Sequence, residues 1–181
     1  MNERFEVMMA GSGGQGLIVS GIMLGEAAIL EGKNVAQTQS YGIATRGGFS
    51  SAAVIIDREE IIFQQVEHPD IVLAFTEEAI DKFAQDEGTP ILYDTTLLKV
   101  REGQNFYGFP FTQLATDLGN ARAANMIALG AMSALTGLVK AESLAGVVRQ
   151  RFSAKASALD LNLRALQIGA DLIGSRMVGE E

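Results

Sequence analysis

Residues Phe5–Gly16 read FEVMMAGSGGQG: a short apolar run that ends in a glycine-dense turn. A helical pattern, LIVSGIMLGEAAIL over Leu17–Leu30, follows at once. The run Phe5–Ala10 predicts a buried strand. The glycines therefore sit in the strand–loop–helix setting in which a GxGxxG match carries meaning. Gly11, Gly13 and Gly16 fill the three glycine positions, with Ser12, Gly14 and Gln15 between them. The amides of such a loop, with the positive end of the next helix, can hold an anion. The alternative is a tight structural turn and nothing more.

Two familiar nucleotide readings lack their partner residues. A dinucleotide site places an acid at the end of the second strand. Here Val35–Ser40 reads VAQTQS, without a carboxylate. A P-loop needs Lys and Ser or Thr after its last glycine, and Leu17 and Ile18 stand there instead.

Outward from this turn, the pattern predicts an α/β protein. Gly21 and Gly25 weaken the first helix by about 1 kcal/mol each relative to alanine, which signals close packing on a sheet. Asn34–Thr38 reads as a second strand and Gln39–Gly48 (QSYGIATRGG) as a loop. Phe49–Ile56 and Ile61–Gln64 read as two strands around a turn at Asp57–Glu60, a hairpin that breaks strict βαβ alternation. Ile71–Phe75 is a core strand, Thr76 an N-cap, and Glu77 and Glu78 open a helix that runs to Ala84. Pro90–Tyr93 is a further strand, and Phe106–Phe111 an edge strand broken by Gly108 and Pro110. Thr112–Leu118, Ala121–Thr136, Ala141–Val148 and Ala156–Ile173 read as helices. The expected fold is a three-layer α/β/α sandwich. Its sheet is mixed but mainly parallel, and its C-terminal third is helical. A length of 181 residues, 48% of them hydrophobic, with no linker composition, fits one domain over residues 1–181.

The chain has a net charge of −8, which argues against nucleic acid as a partner. Residues 1–100 carry 6 basic and 15 acidic side chains, a balance of −9, whereas residues 140–176 carry 6 and 3, a balance of +3. That split orients the protein on a partner or simply reflects solvated faces. There is no cysteine, hence no disulfide, thiolate-held iron–sulfur cluster or cysteine nucleophile in this chain. One histidine gives little basis for a metal site. No apolar run reaches membrane-spanning length and MNERFEV lacks a signal-peptide core, so a cytoplasmic protein is expected.

A second constellation lies in the loop: Ser40-Tyr41-Gly42, then Arg46-Gly47-Gly48. In a doubly wound sheet it leaves the same edge as the glycine turn. Arg46, flanked by residues without side chains, could grip a phosphate or carboxylate in a bidentate way; the alternative is an exposed arginine in a loop. Asp94 reads as a cap for the turn after its strand, and His68 as a surface residue. Asn125 and Asn162, inside apolar helices, read as partners of neighbouring loop backbone.

Five blocks occur in order: GSGGQG at Gly11–Gly16, SYG…RGG at Ser40–Gly48, PDIVLAF at Pro69–Phe75, PILYD at Pro90–Asp94 and NMIALGA at Asn125–Ala131. Together they resemble the gamma subunit of the 2-oxoacid:ferredoxin (or flavodoxin) oxidoreductases, over roughly residues 5–174. GGQG with RGG at this spacing carries the likeness, and neither block does so alone. Ile43-Ala44-Thr45 departs from the Pro-Glu-Met that related sequences often carry there. The resemblance implies oxidative decarboxylation of a 2-oxoacid to an acyl-coenzyme A, with electrons passed to ferredoxin. It implies thiamine diphosphate, magnesium and iron–sulfur clusters on alpha, beta and delta partner subunits and none on this chain, which is then inactive alone. Gly11–Gly16, Ser40, Tyr41, Arg46, Gly47 and Gly48 are the residues it would turn toward coenzyme A. Overall likeness favours 2-oxoglutarate over pyruvate or a branched-chain oxoacid. An architectural subunit, a free-standing nucleotide-binding oxidoreductase and a small-molecule sensor are the competing readings.

Overall fold

A computed structural model describes residues 4–42, 48–84 and 88–178. Six strands form one sheet: β1 (Phe5–Ser12), β2 (Asn34–Tyr41), β3 (Phe49–Asp57), β4 (Ile71–Ala74), β5 (Ile91–Asp94) and β6 (Phe106–Phe109). Their order is β2-β3-β1-β4-β5-β6. β4, β5 and β6 extend β1 in parallel, while β3 runs antiparallel to both β1 and β2. The sheet is thus mixed and mainly parallel, with β3 alone reversed.

The helices are α1 (Leu17–Leu30), α2 (Glu77–Phe83), α3 (Phe111–Asp117), α4 (Ala124–Thr136), α5 (Ala141–Arg151) and α6 (Ala156–Val178). A single 3-10 turn at Ala121–Ala123 leads into α4. Strand alternation divides the core in two. Val7, Met9, Val54, Ile56, Ile71 and Leu73 face α1 and α4, whereas Ala10, Val72, Ala74 and Ile91 face α2 through Ala79 and Ile80. The result is the expected α/β/α sandwich with a helical C-terminal third.

Gly21 lies over Ala52 and Val54 of β3, and Gly25 over Val35 of β2; a Cβ on Gly21 would sit 3.2 Å from that of Ala52. The glycines of α1 do serve sheet packing. A closer approach joins α4 to α6. A Cβ at Gly130 would fall 2.2 Å from the Leu166 carbonyl oxygen, and one at Gly169 1.9 Å from that of Ile127.

Three departures from the sequence reading concern the sheet. Ile61–Gln64 forms no strand. The hairpin is β2–β3, and β3 has β1 on its other side, so both of its hydrogen-bonding edges are already taken. Next, β2 continues through Gln39, Ser40 and Tyr41, in register with Ala52, Ser51 and Ser50. β2 borders the sheet, where polar side chains stay in water, so the run lacks the apolar signature of a buried strand. Finally, β6 stops at Phe109, and Pro110 caps α3, which begins at Phe111. Proline at a helix entrance has no amide to lose.

Candidate functional site

Register places five strand ends together. Ser12 of β1 faces Phe49, Tyr41 of β2 faces Ser50, and Ala74, Asp94 and Phe109 close β4, β5 and β6 at the same side. The carboxyl edge of an α/β sheet, where the chain leaves a central strand first to one side and then to the other, is where such folds form ligand crevices, and here β2 and β4 lie on opposite sides of β1.

The glycine turn sits on this edge. The Gly13 amide donates to the Gly48 carbonyl at 2.9 Å, tying the turn to the end of the Ser40–Gly48 loop. The Gly42 amide donates to the Phe49 carbonyl at 2.6 Å. The glycine turn and the described ends of the second constellation, Ser40–Gly42 and Gly48, therefore lie in a rim at one edge of the sheet. Arg46 and Gly47 lie outside the described residues.

Gln15 holds the turn from inside. Its Oε1 accepts the Ser12 amide at 2.7 Å and its Nε2 donates to the Phe75 carbonyl at 3.3 Å. A Cβ on Gly11 would lie 2.3 Å from that Oε1, which accounts for glycine there. Gly16 has φ 77° and caps α1, which opens with neither a side-chain cap nor an acidic residue in its first turn. The leading amides of α1 are left to what lies at the edge. Gly13 and Gly14 are exposed, and nothing lies within 4 Å of a Cβ built on Gly14. The arrangement suits an anion with bulk that approaches the backbone closely.

Asn125, in the first turn of α4, buttresses the rim. Its Nδ2 donates to the Gly16 carbonyl at 3.2 Å and to Ser20 Oγ at 3.1 Å. This is the loop-backbone role expected for it. Asn162 differs, since its Nδ2 donates within its own helix to the Ala158 carbonyl at 2.8 Å. Asp94 is fully buried and caps its turn as expected, accepting the Thr96 amide at 2.9 Å. It also accepts the Thr112 amide at 3.0 Å and the Thr112 hydroxyl, so it fastens α3 to β5. His68 is exposed.

One cluster was not visible in the sequence. Glu77, which opens α2, takes the Lys99 amide at 2.9 Å and an ion pair from Arg101. Arg101 also reaches Asp81 at 3.2 Å. The Lys99 amide, then Arg101, holds the Glu77 carboxyl below its ordinary range, and Glu77 in turn raises Arg101. Lys99 and Arg101 belong to an irregular stretch, where no period links them to α2. Among the described residues, no group of three or more His, Cys, Asp or Glu side chains is placed to hold a metal ion.

Comparison with known proteins gives the rim its setting. Residues 6–172 match the family described as pyruvate ferredoxin/flavodoxin oxidoreductase. The chain is 39% identical to 2-oxoglutarate synthase subunit KorC of Archaeoglobus fulgidus, over 95% of this chain and 89% of that one. It is also 39% identical to ketoisovalerate oxidoreductase subunit VorA of Methanothermobacter marburgensis, over 96% of this chain but only 37% of the relative's length. A solved keto/oxoacid ferredoxin oxidoreductase gamma subunit from Geobacter sulfurreducens superposes with TM-score 0.80 at 37% identity, covering 94% of this chain and 99% of its own. The 2-oxoglutarate:ferredoxin oxidoreductase of Magnetococcus marinus, solved with 2-oxoglutarate, coenzyme A and succinyl-CoA bound, gives 0.87 at 26% identity, over 97% of this chain and 32% of that one. The chain belongs to the pyruvate ferredoxin/flavodoxin oxidoreductase family, among relatives that include gamma subunits of 2-oxoacid:ferredoxin oxidoreductases.

Proposed function

We propose that this chain is the gamma subunit of a 2-oxoacid:ferredoxin oxidoreductase, and that its glycine rim closes the active site over coenzyme A. The observation that carries the reading is the Gly13–Gly48 hydrogen bond. It joins the glycine turn to the Ser40–Gly48 loop beside an uncapped helix start. Phosphate oxygens of coenzyme A match exposed backbone amides at a helix N-terminus. Arg46 is proposed to add the charge. Thiamine diphosphate, magnesium and iron–sulfur clusters are assigned to alpha, beta and delta partners, since this chain has no cysteine to ligate a cluster. The chain then binds and orients, and excludes water, without moving electrons itself. 2-Oxoglutarate is the favoured oxoacid, supported by the likeness to KorC along nearly the whole of both chains. Pyruvate or a branched-chain oxoacid is the variant reading.

The test is capture of the tagged chain from its native cell. Thiamine-enzyme subunits and oxoacid-dependent, coenzyme A-dependent reduction of ferredoxin should come with it. A chain recovered alone, with bound nucleotide absorbance, would favour a free-standing nucleotide-binding protein. In the captured complex, Arg46→Ala should raise the KM for coenzyme A about tenfold, the scale of one charge-assisted contact. An unchanged KM would overturn the role assigned to Arg46.

A further inference from the structure

α5 and α6 diverge. α6 is drawn onto α4 by the Gly130 and Gly169 backbone contacts. α5 turns toward α1, where Arg151 pairs with Glu26 at 3.0 Å and Gly146 meets Leu30. The wedge between α4, α5 and α6 is a cavity of about 370 Å3. Its wall mixes large apolar side chains (Leu144, Leu163 and Leu166) with small ones such as Ala145 and Ala170, so the side chains do not fill it.

Its polar groups are unequal. Ser133 Oγ is spent on the Val139 carbonyl, and the Gln167 amide on Asp171. Arg149 is exposed and has no ion-pair partner among the described residues, and no described carboxylate lines the cavity. A lone guanidinium above an apolar hollow matches a carboxylate on an apolar body. The volume falls within the range of small-molecule sites, roughly 300–1,000 Å3. We propose that this cavity binds a medium-chain monocarboxylate, with its chain between α4, α5 and α6 and its carboxylate on Arg149. The site is separate from the glycine rim. Asn125 braces the rim from the first turn of α4, whereas Gly130, Ser133 and Gly137 border the cavity from the middle of that helix to its C-cap. At 1.5 Å per residue, these three positions lie about 7–18 Å along the helix from Asn125.

Titration of the full chain with octanoate, followed by calorimetry, tests this. Octanoate should bind saturably. Hexanoate should bind about fifteenfold more weakly, at roughly fourfold per buried methylene. Octanol should bind about three- to fivefold more weakly than octanoate, as for a solvent-exposed charge pair. Arg149→Gln, on an exposed position, should erase the octanoate–octanol difference and leave the chain-length trend. Ala145→Leu, checked by its melting curve, should weaken octanoate at least tenfold. Absent saturation, affinity that ignores chain length, or a folded Ala145→Leu chain that binds octanoate like the parent would overturn the proposal.

Discussion

Asn125 shows how one polar side chain can reveal a site at the residue scale. In an apolar helix it needs partners, and it finds them in the Gly16 carbonyl and Ser20 Oγ, 109 and 105 residues away. Asn125→Ala would remove two hydrogen bonds, although the Gly16 carbonyl still accepts from the Ser20 amide and hydroxyl, at a cost of about 1 kcal/mol. Urea unfolding should show that loss, and a variant as stable as the parent would contradict the bracing role. Gly16 has a different constraint. Its φ of 77° disfavours a side chain, and a Cβ would lie 2.6 Å from Asn125 Nδ2. Gly16→Ala should therefore destabilise by about 1–3 kcal/mol. Paired with Asn125→Ala, which vacates that space, the two losses should fall short of additivity. Asp94 was legible from its place at a strand end, as a cap. Its second task, holding Thr112, was not, because nothing in sequence links positions 18 apart across a β-strand and a loop.

At the element scale, helix pairing and strand pairing differed in how openly the sequence declared them. Helical segments followed from apolar spacing, and the glycines of α1 announced its sheet contact. The second strand was legible over Asn34–Thr38 but not at Gln39–Tyr41, whose polar side chains lie at the sheet edge, and Ile61–Gln64 was misread as a strand. Which segment pairs with β3 depends on which of its edges is free, a fact of the whole sheet and not of either segment. The joint between α1 and α5 carries a pH prediction. Glu31 accepts the Lys140 amide at 2.6 Å and pairs with Lys33 at 3.0 Å. Burial alone would raise its pKa, but the bonds from Lys140, Lys33 and Ser143 outweigh it, and the net effect is downward. A carboxyl lowered in the folded state stabilises above its unfolded value, and that contribution fades as pH falls through the lower folded value. Relative to Glu31→Gln, the parent should be more stable at pH 7, with the gap closing below about pH 4.5. A pH-independent gap in urea midpoints would refute the charge as its origin. The α4–α6 contact predicts a larger effect. Gly169→Ala drives a methyl into the Ile127 carbonyl and should cost at least about 2–3 kcal/mol.

At the scale of the whole molecule, the fold brings five strand ends to one edge and leaves the chemistry of that edge to its backbone. The glycine turn has the glycines of a dinucleotide site but no acid after β2 and no P-loop lysine. Hydrogen bonds from Gln15 and Gly13 close part of it from within, and Gly14 is exposed. The glycine turn and the described ends of SYG…RGG could be picked out from their glycines. Their union through the Gly13–Gly48 bond required the antiparallel β3, which returns the chain to the turn. We propose that this rim meets the phosphates of coenzyme A in an assembled oxidoreductase. Gly14 offers the most direct test, being exposed and with open space above it. Gly14→Asp sets a negative charge at the rim, and Gly14→Asn copies its shape and its strain at φ 95° without the charge. In the reconstituted complex, the account predicts that Gly14→Asp raises the KM for coenzyme A at least tenfold over Gly14→Asn, with the KM for the 2-oxoacid unchanged in both. Equal coenzyme A KM values for the two variants would contradict it.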